Sequence, residues 1–306
     1  GYNCADLSRE ESVLEKVIVR KARPSDKEAV VGFCSQIWEG WDYLPRVWDI
    51  WLEDPYGAFL VAELDGRPVG TDKITVLSPG EVWLEGLRVD PLNRGKGLAH
   101  ALNQKAMEIM SDLRPNTVRF STVFDNQASR HMGGQDGFRF IFQCQRMLSE
   151  GLEGEVPPEA WGKTGDIDEM IGFLRGSSNF KRTGGLFAWG WTFKSLDRSF
   201  LERVVAERGA LLSRRSGKIS GLALFIRQRH GPKTALGFID GREQDVMDLA
   251  RQFQMATAGR GSPQLLTMVP DRTAPLLATA GFRQEEPVHV VVYELSGGDL
   301  KRALKR

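Results

Sequence analysis

The chain has 306 residues, of which 41% are hydrophobic and 26% are charged, and its formal net charge is +1 at pH 7. At the usual ~100–200 residues per domain this length predicts two domains, and a near-neutral chain without a basic stripe argues against a nucleic-acid partner. No apolar run approaches the ~20 residues that span a bilayer, so we expect no membrane partner either.

The cysteines and histidines indicate neither a disulfide framework nor a metal site. Cys4, Cys34 and Cys144 are scattered and odd in number, and the four histidines lie far apart in the sequence. Such cysteine usage is typical of a reducing compartment, and the amino-terminal residues lack the apolar core of a signal peptide. We therefore expect a cytoplasmic protein without a metal.

The amino-terminal half begins with a polar stretch, residues 1–16, that predicts a lead-in without chemistry. A strand from Val17 and a helix capped by Ser25 or Asp26 are predicted next. A turn at Asp65-Gly66 separates two further predicted strands, and another strand comes later. These three strands, at 58–64, 71–77 and 117–124, are implied by the family resemblance given below.

An aromatic-rich stretch at 39–55 lies between the first helix and the second strand. Trp48 and Trp51 fit a helix face that packs into the core. Asp42 has the chemistry to accept the ammonium group of a substrate, and Tyr43 has the chemistry to donate to a carboxylate. A purely structural role for Asp42 and Tyr43 stays open.

The stretch from Val82 to Met110 predicts a strand, a glycine-bearing loop and a helix. Val82 to Val89 is apolar on both alternating faces, which is typical of a strand buried on both sides. Asp90-Pro91 ends this strand because proline cannot donate to a ladder. From Leu98 onward apolar residues recur every three or four positions, which indicates one helical face.

The loop between this strand and helix is Arg94-Gly95-Lys96-Gly97-Leu98-Ala99. Its two glycines allow a turn whose N–H groups point inward, and the helix start adds unpaired N–H groups and the positive end of the helix dipole. Arg94 and Lys96 add full charges. The loop is therefore predicted to bind a phosphate or pyrophosphate; the alternative is an ordinary basic turn before a surface helix.

Glu85 is a carboxylate within this otherwise apolar strand, a costly position unless the group is paired or used. A partly desolvated glutamate is suited to take a proton from an amine, so Glu85 is the candidate general base. The alternative is a structural ion pair with Lys73 or Arg88.

The carboxy-terminal half follows a glycine- and proline-rich linker predicted at 149–165. Asp271–Arg283 repeats the pattern of Asn126–Arg139, a short helix ending in Gly-Phe-Arg, which suggests duplication. The counterpart of the glycine loop, Asp240–Glu243, lacks paired glycines, so no coenzyme is expected there. Residues 297–306 are predicted to be a solvated tail.

Besides the short helix within Asp271–Arg283, the predicted elements of this second domain, 166–296, are three helices, an irregular aromatic stretch and five strands. They lie at 166–175, 196–208 and 244–257 for the helices, at 187–193 for the aromatic stretch, and at 210–215, 219–226, 235–240, 264–269 and 288–295 for the strands.

The pattern R-x-x-G-x-A, formed by Arg94, Gly97 and Ala99 after Leu87–Pro91, resembles the coenzyme A loop of the Gcn5-related N-acetyltransferases (GNAT). A Walker pattern is absent, and so is the third small residue of a dinucleotide fingerprint. Segments Trp41–Pro45, Trp51–Pro55 and Leu84–Val89 are similar to the subgroup that contains histidine N-acetyltransferases.

This resemblance implies an α/β (α+β) fold at 17–148, with a mixed central sheet flanked by helices, followed by a degenerate second GNAT-like domain. It implies acetyl-CoA as cofactor, with the pyrophosphate on Gly95–Ala99 and the pantetheine arm along Leu87, Arg88 and Val89. Asn126 and Ser129 match the family's later helix and are expected to contact the coenzyme as well. Gly133 stands where many members carry the tyrosine that protonates the thiolate.

The resulting prediction is an acetyl-CoA-dependent N-acetyltransferase that modifies a small amine by direct attack in a ternary complex. A free amino acid such as histidine is the leading acceptor. Two alternatives stay open: a non-catalytic acyl-CoA-binding sensor or scaffold, and an N-acetyltransferase for a protein or peptide. The sequence also leaves open whether two chains pair as a homodimer.

Overall fold

The structure is a computed structural model that describes residues 17–37, 42–229, 233–258 and 264–303. The predicted lead-in at 1–16 lies outside the described residues. The chain forms two compact units: the first unit comprises residues 1–74 and 86–109, and the second comprises residues 75–85 and 110–306. These units do not coincide with the predicted domains.

The first unit is built from four strands and three helices. In chain order they are β1 (Val17–Lys21), α1 (Lys27–Cys34), α2 (Leu44–Leu52), β2 (Ala58–Leu64), β3 (Arg67–Ser78), β4 (Glu81–Val89) and α3 (Leu98–Leu113). The chain passes from one unit to the other within β3, β4 and α3. Strands β1, β2 and β3 pair antiparallel, and positive φ angles at Asp65 and Gly66 form the predicted turn.

The core of the first unit lies between α1, α2 and β2. Trp48 and Trp51 are 0% and 2% exposed and contact the Phe59 ring edge-on, which confirms their predicted core position. The predicted helix cap is different: the carboxylate of Asp26 accepts hydrogen bonds from the Arg23 N–H and the Arg20 guanidinium rather than capping α1.

The second unit contains the remaining elements. They are β5 (Thr117–Val123), α4 (Gln127–Gln135), β6 (Arg139–Ser149), α5 (Ile167–Gly176), α6 (Ser178–Arg182), β7 (Leu186–Trp189), β8 (Thr192–Ser195), α7 (Arg198–Ala206), β9 (Ala210–Arg215), β10 (Lys218–Arg227), β11 (Thr234–Gly241), α8 (Glu243–Ala258), β12 (Leu265–Val269), α9 (Ala274–Thr279), β13 (Arg283–Ser296) and α10 (Gly297–Ala303).

The second unit has a mixed sheet in the order β4-β5-β13-β6-β12-β11-β10-β9. The β4–β5 and β11–β12 pairs are parallel, and the other pairs are antiparallel. Helix α8 buries Leu249 and Phe253 in the core of this sheet. The mixed sheet with its helices confirms the predicted α/β fold class.

Two strands are exchanged between the predicted domains. Strand β13, from the end of the chain, lies between β5 and β6, and β6, from the first predicted domain, pairs with β12. Val290 faces Val123 on one side and Cys144 on the other. This exchange explains why the compact units do not follow the predicted linker at 149–165, a segment in which the structure has no α-helix or strand after Ser149, the last residue of β6.

Two local predictions were wrong. The aromatic stretch at 187–193 is not irregular but forms the β7–β8 hairpin, with Gly190 at positive φ in its turn and Phe187 and Phe193 buried. Residues 297–303 are not a solvated tail, because they form α10 and bury Leu300 to 1% exposure. In the hairpin, the Phe193 ring finds partners that are distant in sequence, the rings of Trp83 and Phe142. Across the described residues, no helix combines the length and apolarity needed to cross a membrane.

Candidate active site

Strand β4 separates from its parallel neighbour before either strand ends. The ladder pairs Glu81, Val82 and Trp83 with Thr117, Val118 and Arg119, although β4 continues to Val89 and β5 to Val123. Backbone groups of β4 beyond Trp83 are therefore outside this ladder. Such groups are the kind that an extended ligand pairs with when it adds to a sheet.

Gly86 interrupts the regular geometry of β4. Its φ is +77°, and a Cβ at this position would lie 2.6 Å from the Trp51 ring, so only glycine fits. The Thr71 hydroxyl donates to the Gly86 carbonyl at 2.8 Å. The predicted alternation, with Glu85 and Leu87 on one face, assumed a regular strand, and the positive φ breaks that regularity.

The glycine loop follows the end of β4. Asp90 holds the turn, since its carboxylate accepts from the Leu92 N–H at 3.0 Å and from the Asn93 side chain at 2.8 Å. The Gly97 carbonyl accepts from the Ala101 N–H at 3.0 Å, which places the helix start at Leu98 as predicted. The N–H groups of the first turn of α3 therefore have no acceptor within the helix.

The loop has the properties that a pyrophosphate requires. Gly95 and Gly97 have φ angles of +81° and +76°, and a Cβ at either would meet nothing within 4 Å. Arg94 and Lys96 are exposed beside them, whereas Leu98 is buried and anchors the helix. Open backbone, a helix start and two cations fit the phosphates of a coenzyme, and the loop would hold them through N–H groups and charge.

Glu85 is the last residue of the part of β4 that belongs to the second unit, residues 81–85. Its side chain is 7% exposed, and its Oε1 accepts hydrogen bonds from the Thr75 hydroxyl at 2.6 Å and from the Arg229 guanidinium at 3.2 Å. Neither contact was expected from the sequence. The carboxylate is thus held in a defined orientation by a hydroxyl and a cation.

The two alternative partners proposed for Glu85 from sequence form other ion pairs within the first unit. Arg88 bonds Asp42, and the Lys73 ammonium bonds the Asp54 carboxylate and donates to the Ile74 carbonyl at 2.7 Å. Among the described residues, Glu85 forms an ion pair with Arg229, which lies two residues after the end of β10, a partner that the sequence did not indicate.

Asp42 and Arg88 form a buried pair in the first unit. Arg88 Nε donates to Asp42 Oδ2 at 2.7 Å and Nη2 to Oδ1 at 3.3 Å, and the guanidinium lies 5.6 Å from the centre of the Tyr43 ring. Burial opposes the charge of Arg88, but the Asp42 hydrogen bonds outweigh it and raise the pKa of Arg88. The predicted contact of Asp42 with a substrate ammonium would compete with this pair and stays a prediction.

Asn126 and Ser129 lie together at the start of α4. The Asn126 side chain accepts from the Ser129 N–H at 3.2 Å and donates to the Ser129 hydroxyl at 3.0 Å, so Asn126 caps the helix as predicted. Gly133 is buried in the same helix, where a Cβ would lie 2.6 Å from the Phe120 ring. Close packing against Phe120 explains glycine at this position, and no side chain replaces the missing tyrosine there.

A buried cluster of charges at the start of β4 escaped the sequence analysis. Glu81 accepts from Arg119 at 2.6 Å and from Lys194 at 2.9 Å, and Arg119 also bonds Glu294 at 2.6 Å. The Ser195 N–H adds a hydrogen bond at 2.6 Å. These residues come from four strands far apart in sequence, and no local pattern signals their meeting.

The predicted site residues thus fall into separate groups. The first unit holds Asp42 with Arg88 and Tyr43, and it holds the loop 94–99. The second unit holds Glu85 with Thr75 and Arg229, and it holds Asn126 with Ser129. Along the 42–229 stretch and the other described segments, no cluster of histidine, cysteine or acidic side chains could hold a metal ion.

Part of the chain is similar to known acetyltransferases. Residues 27–138 match the acetyltransferase (GNAT) family model. A histidine N-acetyltransferase from Oreochromis niloticus is 33% identical over 107 residues, which are 35% of this chain and 32% of that protein. The match therefore spans about a third of the length of this curated relative.

Solved structures extend the likeness to most of the chain. A GCN5-related N-acetyltransferase from Sphaerobacter thermophilus has a TM-score of 0.59 at 19% identity, covering 92% of this chain and 96% of its own. A tandem GNAT protein from the clavulanic acid biosynthesis pathway has a TM-score of 0.55 at 14% identity, covering 92% and 99%. These likenesses confirm the predicted fold over most of the chain, and the similarity to the acetyltransferase (GNAT) family model lies within it, at residues 27–138.

Proposed function

We propose that the protein is an acetyl-CoA-dependent N-acetyltransferase that modifies a small amine, with a free amino acid such as histidine as the leading acceptor. The proposal rests on one observation, which is that a single strand connects a candidate general base to a candidate coenzyme loop. Strand β4 carries a buried, oriented carboxylate, Glu85, and leads into the exposed glycine loop at 94–97.

The loop and the strand would hold the coenzyme. Gly95, Gly97 and the first turn of α3 would bind its phosphates, and the backbone of Leu87–Val89 would run beside its pantetheine arm. Acetyl-CoA, when bound, supplies the thioester whose acetyl group is transferred. Positioning of the amine and the thioester supplies much of the rate in such a reaction.

Glu85 would act as the general base on the acceptor. An amine is protonated near neutral pH and becomes a nucleophile only after losing a proton. The Thr75 hydroxyl, at 2.6 Å, fixes the orientation of the Glu85 carboxylate that receives this proton. The choice of a free amino acid rests on the histidine N-acetyltransferase among the relatives, whose match covers only part of either chain.

Thiol release from acetyl-CoA tests the proposal, measured across free amino acids, polyamines and aminoglycosides. We expect brisk release with one class of acceptor. Glu85→Gln should lower turnover by about 10²–10⁴-fold while calorimetry shows unchanged acetyl-CoA binding. Glu108→Gln, on the exposed face of α3, is the matched control and should leave turnover unchanged. Full turnover in Glu85→Gln would remove Glu85 from this role.

A non-catalytic acyl-CoA sensor is the second candidate, favoured by one observation. Gly133 packs against Phe120, so a tyrosine hydroxyl is absent at the position where the family resemblance places one. Tight acetyl-CoA binding without thiol release for any acceptor would support the sensor. Release with peptides but with no free amine would instead indicate a protein or peptide acceptor.

A further inference from the structure

Arg229 is a largely buried cation, and only some of its hydrogen-bond donors have partners in the described part of the chain. Its side chain is 16% exposed. Only Nη1 forms hydrogen bonds among the described residues, to Glu85 Oε1 at 3.2 Å and to Thr192 Oγ1 at 3.4 Å. Nε and Nη2 have no hydrogen-bond partner there. Because the side chain is partly exposed, these remaining N–H groups are accessible to an acceptor group of a ligand.

Two other buried cations of the second unit, Arg119 and Lys194, differ in this respect. Arg119 uses Nε and Nη1 to bond two carboxylates, those of Glu294 and Glu81. Lys194 bonds the Glu81 carboxylate at 2.9 Å and the Ser78 hydroxyl at 3.0 Å. Within the described ranges Arg229 thus donates through Nη1 only, to the Thr192 hydroxyl and to the carboxylate of the candidate base, Glu85.

The chemistry of the unpaired donors indicates the ligand. A guanidinium offers adjacent N–H groups in a planar fork, which matches the two oxygens of a carboxylate. In an α-amino acid a single carbon separates the carboxylate from the amine. A carboxylate held on the unpaired donors of Arg229 would therefore bring the amine close to Glu85, which Arg229 already contacts.

We propose that Arg229 binds the carboxylate of the acceptor and selects amines that carry a carboxylate beside the amino group. This inference rests on the proposed function, since Glu85 is the base in it. Arg229 is then a specificity-determining residue supplied by the carboxy-terminal half of the chain. It explains how a half without a glycine loop contributes to acceptor choice.

The test compares each amino acid with its decarboxylated amine, beginning with histidine and histamine. Wild-type protein should have a much higher kcat/KM for histidine. Arg229→Gln should reduce the histidine-to-histamine ratio of kcat/KM by about 100-fold, mainly through KM for histidine. If the substitution only disturbs Glu85, kcat/KM falls equally for histidine and histamine, and the ratio does not change.

Two control variants separate recognition from structure. Arg227→Gln removes the same charge from an exposed position two residues away and should preserve the ratio. Thr75→Val removes a hydrogen bond from Glu85 and should lower turnover of both acceptors without changing the ratio. An equal fall for both acceptors in Arg229→Gln would assign Arg229 to positioning Glu85 and overturn the inference.

Calorimetric binding of histidine and histamine to the full chain distinguishes this inference from the proposed function. Absence of turnover, together with a preference for histidine that Arg229→Gln abolishes, would refute the transferase function and support carboxylate recognition. A wild-type protein that prefers no carboxylate-bearing ligand, in binding or in turnover, would overturn the inference. Turnover of amines without a carboxylate preference would leave the transferase function intact.

Discussion

The two parallel strand pairs of the chain begin alike and end differently. In each ladder three residues pair: Glu81–Trp83 with Thr117–Arg119, and Thr234–Leu236 with Leu265–Thr267. Beyond the ladder, β4 leads into an exposed loop before α3. Strand β11 instead reaches α8 through a single residue, Arg242.

The end of β11 is closed by the chain's own side chains. The buried carboxylate of Asp240 accepts from the Ser177 hydroxyl, from the Asn179 N–H at 3.0 Å and from Arg272 at 3.3 Å. Asn179 also donates to the Ile239 carbonyl at 2.7 Å. The Ile239 carbonyl, a backbone group beyond the β11–β12 ladder, is therefore already used.

A second difference concerns the helices that follow these strand pairs. Helices α4 and α9 end alike, since Phe138 N–H bonds the Gly133 carbonyl and Phe282 N–H bonds the Leu277 carbonyl. At the matched position α9 buries the Leu277 side chain, whereas α4 has Gly133 against the Phe120 ring. The same supersecondary unit thus packs differently in the two halves of the chain, according to the residue at this position. The predicted absence of a coenzyme from the second half stays a prediction.

The largest expected effect comes from changing the open loop. Gly97→Asp puts an L-residue at φ +76° and a carboxylate where phosphates would bind. We expect acetyl-CoA affinity to fall by about 100-fold or more, measured by calorimetry. Arg242→Asp makes an acidic change at the closed junction and should leave affinity unchanged. Equal losses in the two variants would show that both junctions bind coenzyme.

The next largest effect comes from opening the closed junction. Asp240→Ala leaves the Ser177 hydroxyl and the Asn179 N–H without their acceptor, which should cost about 3 kcal/mol in the free energy of unfolding. Asp90→Ala removes a turn acceptor from the open junction and should cost only about 1 kcal/mol. Urea unfolding measures both. Similar costs for the two variants would contradict the contrast between a closed and an open junction.

The pH dependence of stability should distinguish the two ladders. Burial opposes ionisation of Glu81, but the Ser195 and Lys194 hydrogen bonds outweigh it and lower its pKa from 4.5 to about 2. Because the folded-state pKa is depressed, this stabilisation is present above about pH 4.5 and is lost as pH falls toward 2. Wild-type protein should lose up to roughly 3 kcal/mol in this window that Glu81→Gln does not lose.

Thr267→Val is the matched change in the β11–β12 ladder. Its hydroxyl donates to the Leu236 carbonyl at 2.7 Å and does not titrate in this range. The difference between wild type and Thr267→Val should therefore be constant between pH 4.5 and 2, as followed by urea unfolding. A constant difference for Glu81→Gln as well would mean that its charge does not stabilise the β4–β5 ladder.

The smallest expected effect is a change in stability on replacing either of two adjacent glycines of α4 by alanine, and its sign differs between the two positions. Gly133→Ala places a Cβ 2.6 Å from the Phe120 ring and should destabilise the protein by about 1–2 kcal/mol. Gly134→Ala meets nothing within 4 Å and should stabilise it by about 0.5–1 kcal/mol, because alanine favours the helix. Thermal unfolding checks both. Stabilisation by both variants would show that Phe120 moves readily and that Gly133 is not required for packing.

The sequence by itself determined the elements whose signals are local. Val82–Val89, the glycine loop and the helix from Leu98 were predicted because alternation, paired glycines and helical periodicity act over a few residues. The repeat of helix and Gly-Phe-Arg likewise predicted α4 and α9. The same signals indicated a coenzyme loop in one half and its absence from the other.

Only the tertiary structure decided which distant groups meet. Arg229 contacts Glu85 across 144 residues of sequence, and Arg119 contacts Glu294 across 175. The exchange of β6 and β13 depends on sheet edges that belong to the other half of the chain. No pattern within a segment encodes such pairs, because their energy arises only when burial removes water from both partners at once.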